Sequence, residues 1–352
     1  MTDREEVDGL QARSYARDQA ESLRIAIERA RRLRARPYAP REALEALEAN
    51  EALEGLGALE AAEERPKAAR VFAVASGKGG VGKTCIAANL AIALSEMGQR
   101  TAIIDADMGV TSIESLYGVR PQAKLADIIA SDRLVGASFK DSFKDALKYA
   151  FGDGPRGVKF ISCGTGIDEI ARAEGEQAAA FASGLAAIDL DFDVVIVDTS
   201  AGIADSAIGL SLAADEVLLV TTPEPTSVTD AYALIKSLAQ RERDKPIRLV
   251  VNRAQAHAEA MDVLSKLARV ADRFLDLQLE KLGYIQNDLL IVRSAKEQRP
   301  FVIGFPDSGP SQSVREIATL LMERRAFGDE PSGRGLAGFF ASVSRLMHVQ
   351  YK

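Results

Sequence analysis

A glycine-rich segment, Gly77-Lys-Gly-Gly-Val-Gly-Lys-Thr84, has the residue types and the spacing of a phosphate-binding loop. The apolar residues before it predict a buried strand, and residues 83–97 predict a helix. Glycine lets backbone N–H groups converge on phosphate oxygens, and the helix N-terminus adds its dipole. The residues expected to contact the nucleotide are Gly77, Lys78, Gly79, Gly80, Val81, Gly82, Lys83, Thr84 and Cys85. The less specific alternative is a glycine turn that binds nothing.

Two side chains at the end of this segment suit the chemistry of a magnesium–triphosphate. Lys83 would contact the β- and γ-phosphates as a point charge, and the Thr84 hydroxyl would bind Mg²⁺. Cys85, directly after them, is expected to be a small buried residue beside the nucleotide. The sequence therefore predicts a site for a nucleotide and magnesium.

Three carboxylates end two of the other apolar runs. Asp105 and Asp107 follow residues 101–104, and Asp198 ends residues 193–198. Hard oxygen ligands hold Mg²⁺ or orient its waters, and a free carboxylate can position an attacking water. We expect Asp105 and Asp198, with Thr84, to bind Mg²⁺ or to orient its waters. Taken singly, each aspartate could instead be a helix cap or a turn residue.

Apolar runs and helical patterns alternate along most of the chain, and this alternation predicts the fold. Helical stretches cover residues 83–97, 226–240 and 256–272, and they separate several short apolar runs. The runs occupy residues 71–75, 101–105, 158–161, 193–198, 216–221 and 247–252. This pattern is typical of an α/β fold, a mainly parallel twisted sheet with helices on both faces. Functional residues should then gather at the carboxyl ends of the strands.

Composition limits the classes of function. The chain has 352 residues and a net charge of −7, which argues against a nucleic-acid footprint over the whole surface, and no specific nucleic acid is expected. Two cysteines, Cys85 and Cys163, support no disulfide framework and favour a reduced cytosol. The N-terminus has no apolar signal core, and no run is long enough to span a bilayer. We expect a cytoplasmic protein.

Lys78 narrows the class, because the loop Lys78-Gly-Gly-Val-Gly-Lys-Thr84 resembles the deviant Walker A motif of the MinD/ParA ATPases. The resemblance implies Mg²⁺-dependent ATP hydrolysis by a homodimer, with Lys78 and Lys83 catalytic and Lys78 reaching the partner's nucleotide. Residues 105–107 resemble the family's switch I, which makes Asp107 the water-orienting residue. Asp198 to Gly202 resemble a Walker B run that leads into a γ-phosphate-sensing loop. Asn252 falls where this family recognises adenine, although it could simply end a strand.

Several further stretches resemble one branch of that family, the FlhG/FleN regulators of flagellar number. They are Pro223-Glu-Pro-Thr-Ser-Val-Thr-Asp-Ala-Tyr-Ala-Leu-Ile-Lys236, Ala271-Asp-Arg-Phe-Leu-Asp276, Phe305-Pro-Asp-Ser308 and Asp18-Gln-Ala-Glu-Ser-Leu-Arg24. In the branch, the element like Asp18-to-Arg24 stimulates the signal-recognition-type GTPase FlhF. The chain departs from the branch at Glu114, where aspartate is usual, and at Gln286, where proline is usual.

Three domains are expected: an N-terminal partner-activating arm and linker over residues 1–70, an ATPase domain over 71–333, and a C-terminal helix over 334–352. That helix places Leu336, Phe339, Phe340, Val343, Leu346 and Met347 on one face. Family members bind membrane lipids with such a helix, which implies reversible association with the cytoplasmic face of the inner membrane. The alternative is a helix docked on its own core; we expect both, docked without ATP and released with it.

Together these features predict an ATP-dependent dimerising switch that regulates flagellar number or placement, with an FlhF-like GTPase and a flagellar transcription regulator as candidate partners. The alternatives are a ParA-type DNA-partitioning ATPase, a MinD-type ATPase that positions a division inhibitor, and a metabolic P-loop enzyme. The two histidines, His257 and His348, form no hydrolase-type triad with nearby residues.

Overall fold

The protein is described from a computed structural model that covers residues 68–107, 113–121, 123–129, 139–164, 166, 181, 185, 188–189, 191–323 and 335–348. The chain divides into two compact units, Met1–Arg65 and Pro66–Lys352. All the described residues belong to the second unit. Residues 1–67 of the expected N-terminal arm, including the element from Asp18 to Arg24, lie outside them, whereas Arg70, assigned to the arm, is the first residue of a strand of the sheet.

An eight-stranded sheet organises the described part of this unit. Its strands in chain order are β1 (Arg70–Ala75), β2 (Thr101–Asp105), β3 (Gly152–Asp153), β4 (Lys159–Ser162), β5 (Val194–Asp198), β6 (Glu216–Thr221), β7 (Ile247–Ala254) and β8 (Glu280–Gln286). Their order across the sheet is β3-β4-β2-β5-β1-β6-β7-β8. All neighbours run parallel except β3, which is antiparallel to β4. The predicted α/β fold with a mainly parallel sheet is therefore confirmed.

Helices connect the strands and cover the sheet. The described ones are α1 (Lys83–Glu96), α2 (Ile113–Tyr117), α3 (Leu125–Ile129), α4 (Phe139–Ala150), α5 (Asp205–Ala213), α6 (Pro225–Arg241), α7 (His257–Leu275), α8 (Leu289–Lys296), α9 (Phe301–Gly304), α10 (Gly309–Glu323) and α11 (Gly335–His348). None of these helices is both long and apolar enough to cross a membrane. The helices expected at 83–97, 226–240 and 256–272 correspond to α1, α6 and α7.

Strand register brings the chemical groups to one edge. β5 lies between β1 and β2, with Val74 paired to Asp198 and Asp105 also paired to Asp198. All five residues of β5 are buried, because apolar side chains from both faces of the sheet enter two separate cores. The carboxyl ends of β1, β2 and β5 therefore meet where the glycine-rich loop leaves β1.

Two strands were not expected from the sequence. β3 has only two residues, and β8 mixes charged, apolar and half-buried positions, as an edge strand does. Neither carries the continuous apolar run that marks a central parallel strand, so the sequence pattern did not reveal them.

The amino ends of four neighbouring strands carry charged side chains that alternate in sign and form a ladder across the sheet. Arg70 on β1 lies 2.7 Å from Glu216 on β6, whose other oxygen lies 2.7 Å from Nε of Arg248 on β7. The same Nε lies 3.2 Å from Glu280 on β8. Arg248 is fully buried, so its charge depends on these two carboxylates.

Removing the central cation should destabilise the fold. We expect Arg248→Ala to lower the free energy of unfolding by roughly 3–5 kcal/mol, because two carboxylates then face each other in a poorly solvated place. Arg243→Ala, which removes an exposed ion pair with Asp276, is the matched control and should cost less than about 1 kcal/mol. Denaturant titration followed by circular dichroism measures both. Equal losses for the two variants would contradict a structural role for the ladder.

Candidate functional site

The glycine-rich loop leaves β1 at Ala75 and enters α1 at Lys83. Gly82, directly before the helix, has a φ of 93°, a left-handed conformation that side chains rarely adopt. A Cβ at Gly82 would also lie 2.4 Å from the Asn252 amide nitrogen. Gly79 and Gly80 are exposed to solvent, whereas Lys83 and Thr84 are buried at the start of α1. The loop thus presents backbone N–H groups and a helix N-terminus at one place.

Lys83 connects this loop to the carboxylates. Its Nζ donates to Asp198 Oδ1 at 2.8 Å and lies 3.5 Å from Asp107 Oδ2. Lys83 and Asp198 are almost entirely buried, while Asp107 keeps 25% of its side chain exposed. The structure therefore brings together three of the predicted site residues around one ammonium group, which a phosphate could share.

Asp198 has the features of a magnesium partner. Burial raises the pKa of Asp198, and the charge of Lys83 opposes that rise. The Thr84 hydroxyl opposes the rise as well, but it does not complete a hydrogen bond to Oδ2. In the described part of the chain, no donor meets that buried oxygen with hydrogen-bond geometry. A buried carboxylate oxygen without a donor, close to a hydroxyl, fits a hydrated Mg²⁺.

Magnesium at such a site would depend on the nucleotide. Within the described ranges, no group of three or more His, Cys, Asp or Glu side chains could hold a metal ion. Mg²⁺ commonly takes one or two protein oxygens and completes its shell with waters and phosphates. Thr84 and Asp198 would supply those oxygens, and the bound ion would neutralise charge on the phosphates.

Asp105, the other expected metal ligand, already uses both carboxylate oxygens. Oδ1 accepts from the backbone N–H of Asp107 at 3.3 Å, and Oδ2 accepts from that of Ile113 at 3.1 Å. Burial raises the pKa of Asp105 to about 6, with these two hydrogen bonds opposing the rise and Asp198 adding to it. A metal role for Asp105 stays a prediction, but in this structure its carboxylate holds the backbone.

Lys78 lies apart from this cluster. Its Nζ donates to Glu224 at 3.1 Å and to the Thr226 hydroxyl at 2.9 Å, both at the N-terminus of α6. Glu224 and Thr226 are contacts that the sequence reasoning missed, although they lie in the stretch 223–236 that it singled out. The side chain of Lys78 is 38% exposed and does not contact the described carboxylates around Lys83.

Gly202, expected to bind the nucleotide as the flexible point of the γ-phosphate-sensing loop, is hydrogen-bonded to the residue before the glycine-rich loop. It has a φ of 98°, and its N–H donates to the carbonyl of Ser76, the last residue before Gly77. α5 begins three residues after Gly202, at Asp205. Any movement of Gly202 that follows phosphate binding would therefore act directly on the start of α5.

Asn252 is a buried residue of β7, two residues before its end, and lies against the glycine-rich loop. Its amide donates to the Val81 carbonyl at 2.7 Å, and its side-chain oxygen accepts from the Arg253 N–H at 2.9 Å. Both polar groups of Asn252 thus serve the protein in this structure, so base recognition by Asn252 stays a prediction.

A cavity of about 780 Å³ opens beside Asn252 and is large enough for a nucleobase and ribose. Its lining includes Gly82, Cys85, Arg253, Asp288 and Phe301. Cys85 is half-buried, whereas the sequence predicts a buried residue, and burial raises the pKa of its thiol to about 12, which disfavours the thiolate at neutral pH. Arg253, with a φ of 59°, is a lining residue that the sequence pattern did not reveal.

Comparisons with known proteins agree with this geometry. Residues 72–301 match the family model described as the CobQ/CobB/MinD/ParA nucleotide binding domain, which covers more than half of the chain. The antiactivator FleN of Pseudomonas aeruginosa is 37% identical over 71% of this chain and 85% of its own length. The flagellum site-determining protein YlxH of Helicobacter pylori is 31% identical over 79% of this chain and 90% of its own length.

Solved structures share the fold. The MinC:MinD cell division protein complex of Aquifex aeolicus includes a chain that matches with a TM-score of 0.55 and 22% identity, over 74% of this chain and 99% of that one. At this identity the match supports the fold alone, whereas the family model and the two relatives support the assignment. The chain belongs to the FlhG/FleN branch of the MinD/ParA nucleotide-binding family and is a P-loop ATPase with the deviant Walker A motif.

Proposed function

We propose that this protein is an ATP- and Mg²⁺-dependent dimerising switch that regulates flagellar number or placement. The arrangement of Lys83, Asp198 and Asp107 around one ammonium group carries the proposal, because a γ-phosphate would draw Lys83 away from Asp107. Asp107 would then orient the attacking water. Similarity to the antiactivator FleN and to the flagellum site-determining protein YlxH supports the flagellar role.

The contacts of Lys78 support the proposal that the protein dimerises when it binds nucleotide. It is held by Glu224 and Thr226 of its own chain, through exposed contacts that are inexpensive to break. A lysine that swings from these partners to the phosphates of a second copy would make the dimer depend on nucleotide. Glu224 and Thr226 would become available to other contacts at the same time.

Variants of the ammonium cluster test the switch. Lys83→Ala should abolish ATP binding and dimerisation, because the phosphates lose their buried cation. Asp107→Ala should keep ATP binding and accumulate the dimer, with hydrolysis lowered roughly 100-fold or more, because water loses its orienting carboxylate. Sedimentation with ATP and a phosphate-release assay measure these outcomes. An Asp107→Ala protein that binds ATP and stays monomeric would contradict the assigned role.

The C-terminal helix α11 supports reversible membrane association through the way it is docked. Leu336, Phe339, Phe340 and Val343 are buried in the apolar core on one side of the sheet. Burying four such side chains is worth roughly 6–12 kcal/mol gross, at about 1.5–3 kcal/mol each. A membrane interface would offer a comparable apolar environment, so the helix could exchange one for the other.

The carboxylate of Asp189 holds the first turn of α11 and also accepts from the backbone N–H of Ala69. Asp189 accepts from the N–H of Leu336 at 2.8 Å, and burial raises the pKa of Asp189. Gly335 has a φ of 64°, and a Cβ there would lie 1.8 Å from an Asp189 oxygen, so glycine is required for this contact. α11 also packs on α5, the helix that follows the Gly202 loop. Nucleotide-dependent movement of α5 would therefore reach the docked helix.

Two variants with opposite expected effects test the release of α11. Asp189→Ala should increase vesicle binding without ATP, because the first turn of the docked helix loses its acceptor. Phe339→Glu with Phe340→Glu should abolish vesicle binding with ATP, because two charges replace the apolar face. Flotation with liposomes that contain anionic lipid measures both.

A control and a contrary outcome accompany this experiment. Ala341→Glu adds a charge on the exposed side of the docked helix and should leave flotation unchanged. If Asp189→Ala stays off vesicles without ATP while it folds and hydrolyses ATP normally, the docked helix is a structural element. The membrane part of the proposal would then fail.

The N-terminal arm would act on the partner protein. The stretch Asp18-Gln-Ala-Glu-Ser-Leu-Arg24 has a capping aspartate and a narrow apolar stripe that cannot bury much surface alone. A segment of this kind suits recognition that orders on binding. We propose that it stimulates an FlhF-like GTPase, with Gln19 and Arg24 supplying polar contacts.

A peptide of residues 10–36 should accelerate GTP hydrolysis by the FlhF-like GTPase of the same cell, without the ATPase domain. Gln19→Ala or Leu23→Ala should remove the stimulation, because each deletes a contact of the short helix. Full-length protein with either change should keep its own ATPase activity and dimerisation, which is the internal control. Unchanged GTP turnover in the presence of the wild-type peptide would favour a MinD-type role with another cargo.

A further inference from the structure

The two ends of the segment between Asp107 and Ile113 are fastened to the same side chain. Asp105 accepts from the N–H of Asp107 at the start and from the N–H of Ile113 at the end. Asp105 is the last residue of β2 and is almost fully buried between β4 and β5. Both hydrogen bonds therefore connect the backbone to the carboxyl end of β2 in the sheet.

The far end of this segment has a second anchor. The Ser162 hydroxyl on β4 donates to Glu114 Oε1 at 2.6 Å, and Ser162 is paired in register with Asp105. The contact is a hydroxyl to a carboxylate, a stronger type of hydrogen bond, and Ser162 is buried. The Glu114 side chain therefore links the start of α2 to β4.

A third contact makes the helix after this segment a firm support. Tyr117 at the end of α2 donates its hydroxyl to the carbonyl of Ala88 in α1, and its ring packs edge-on against Phe160 at 6.1 Å. α2 is thus fixed to the helix that begins with Lys83. Ile113, at the start of α2, is thus held by Asp105 on β2, while Tyr117 at the other end of the helix is held by α1.

We propose that Glu114 and Ser162, together with Asp105, form a clasp that positions the Asp107 carboxylate for hydrolysis. Glu114 and Ser162 are positioning residues, since neither contacts Lys83 in the described structure and both act through the backbone at Ile113. The proposal rests on the water-orienting role proposed for Asp107. Glu114 is therefore expected to affect the rate of ATP hydrolysis and not the binding of the nucleotide.

The experiment distinguishes the length of the Glu114 side chain from its charge. Glu114→Asp keeps the charge and shortens the side chain. Glu114→Gln keeps the length and an acceptor oxygen but removes the charge. Glu114→Asp and Ser162→Ala should each lower kcat for ATP roughly tenfold, with KM within about twofold, since the frame of Asp107 loosens while the phosphate loop is intact. Glu114→Gln should slow hydrolysis less than Glu114→Asp, and Ser162→Thr less than Ser162→Ala, because each of these variants keeps the hydrogen bond.

Coupling and folding are measured on the same proteins. The double variant Glu114→Asp with Ser162→Ala should be no slower than either single variant, because both remove one contact. Sedimentation with ATP should show that the dimer still forms, and thermal melting should show folded protein. A fall in melting temperature with unchanged kcat, or equal slowing by Glu114→Gln, would overturn the clasp.

Asp107→Ala distinguishes this failure from failure of the proposed function. If Asp107→Ala abolishes hydrolysis while Glu114→Asp and Ser162→Ala leave kcat unchanged, the role of Asp107 stands and the clasp alone is wrong. If Asp107→Ala hydrolyses ATP at the wild-type rate, the role of Asp107 fails, and with it the clasp.

Discussion

The buried ion pair between Lys83 and Asp198 is the interaction on which the site depends. It joins the first residue of α1 to the last residue of the central strand β5, at 2.8 Å and almost out of contact with water. Neither charge would be tolerated there alone, since desolvation of an unpaired ion costs several kcal/mol. A phosphate that binds Lys83 would compete with the carboxylates for its ammonium group, and a cation at Oδ2 of Asp198 would compensate the charge of that carboxylate. A magnesium–nucleotide complex supplies both the phosphate and the cation together.

The same constraint explains why the neighbouring groups are held so firmly. Asp107 lies 3.5 Å from the same ammonium and is more exposed than Asp198, so it can be released without leaving a buried charge unpaired. Its backbone is fixed by Asp105, and the segment beyond it is fixed at Ile113 and Glu114. A fixed backbone around the Asp107 carboxylate suits a switch, because phosphate binding at Lys83 then acts on the contact between Lys83 and Asp107.

The sequence predicts those features of this protein that depend on residues close together in the chain. Continuous apolar runs located β2 and β6 to the residue, and the glycine spacing located the loop from Gly77 to Thr84. Contacts between distant segments were not predictable in this way. Asn252 reaches Val81 across 171 positions, and Lys78 reaches Glu224 across 146. Both depend on how β6 and β7 pack beside β1, and a sheet order is not encoded in any single stretch. The charge ladder through Arg248 escaped prediction for the same reason.

The proposed link between nucleotide and membrane has to satisfy a thermodynamic condition. ATP can shift α11 from docked to released only if it binds more tightly to the released form than to the docked one. The Gly202 loop hydrogen-bonds to Ser76 beside the phosphate loop, and α5 carries that loop at one end and α11 on its side. The docked face is worth several kcal/mol, so contacts at Gly202 alone are too small to release it. Dimerisation can supply the remainder, because two helices that meet one membrane bind far better than one. The proposed switch would therefore require the dimer, and Lys78 would make that dimer depend on ATP.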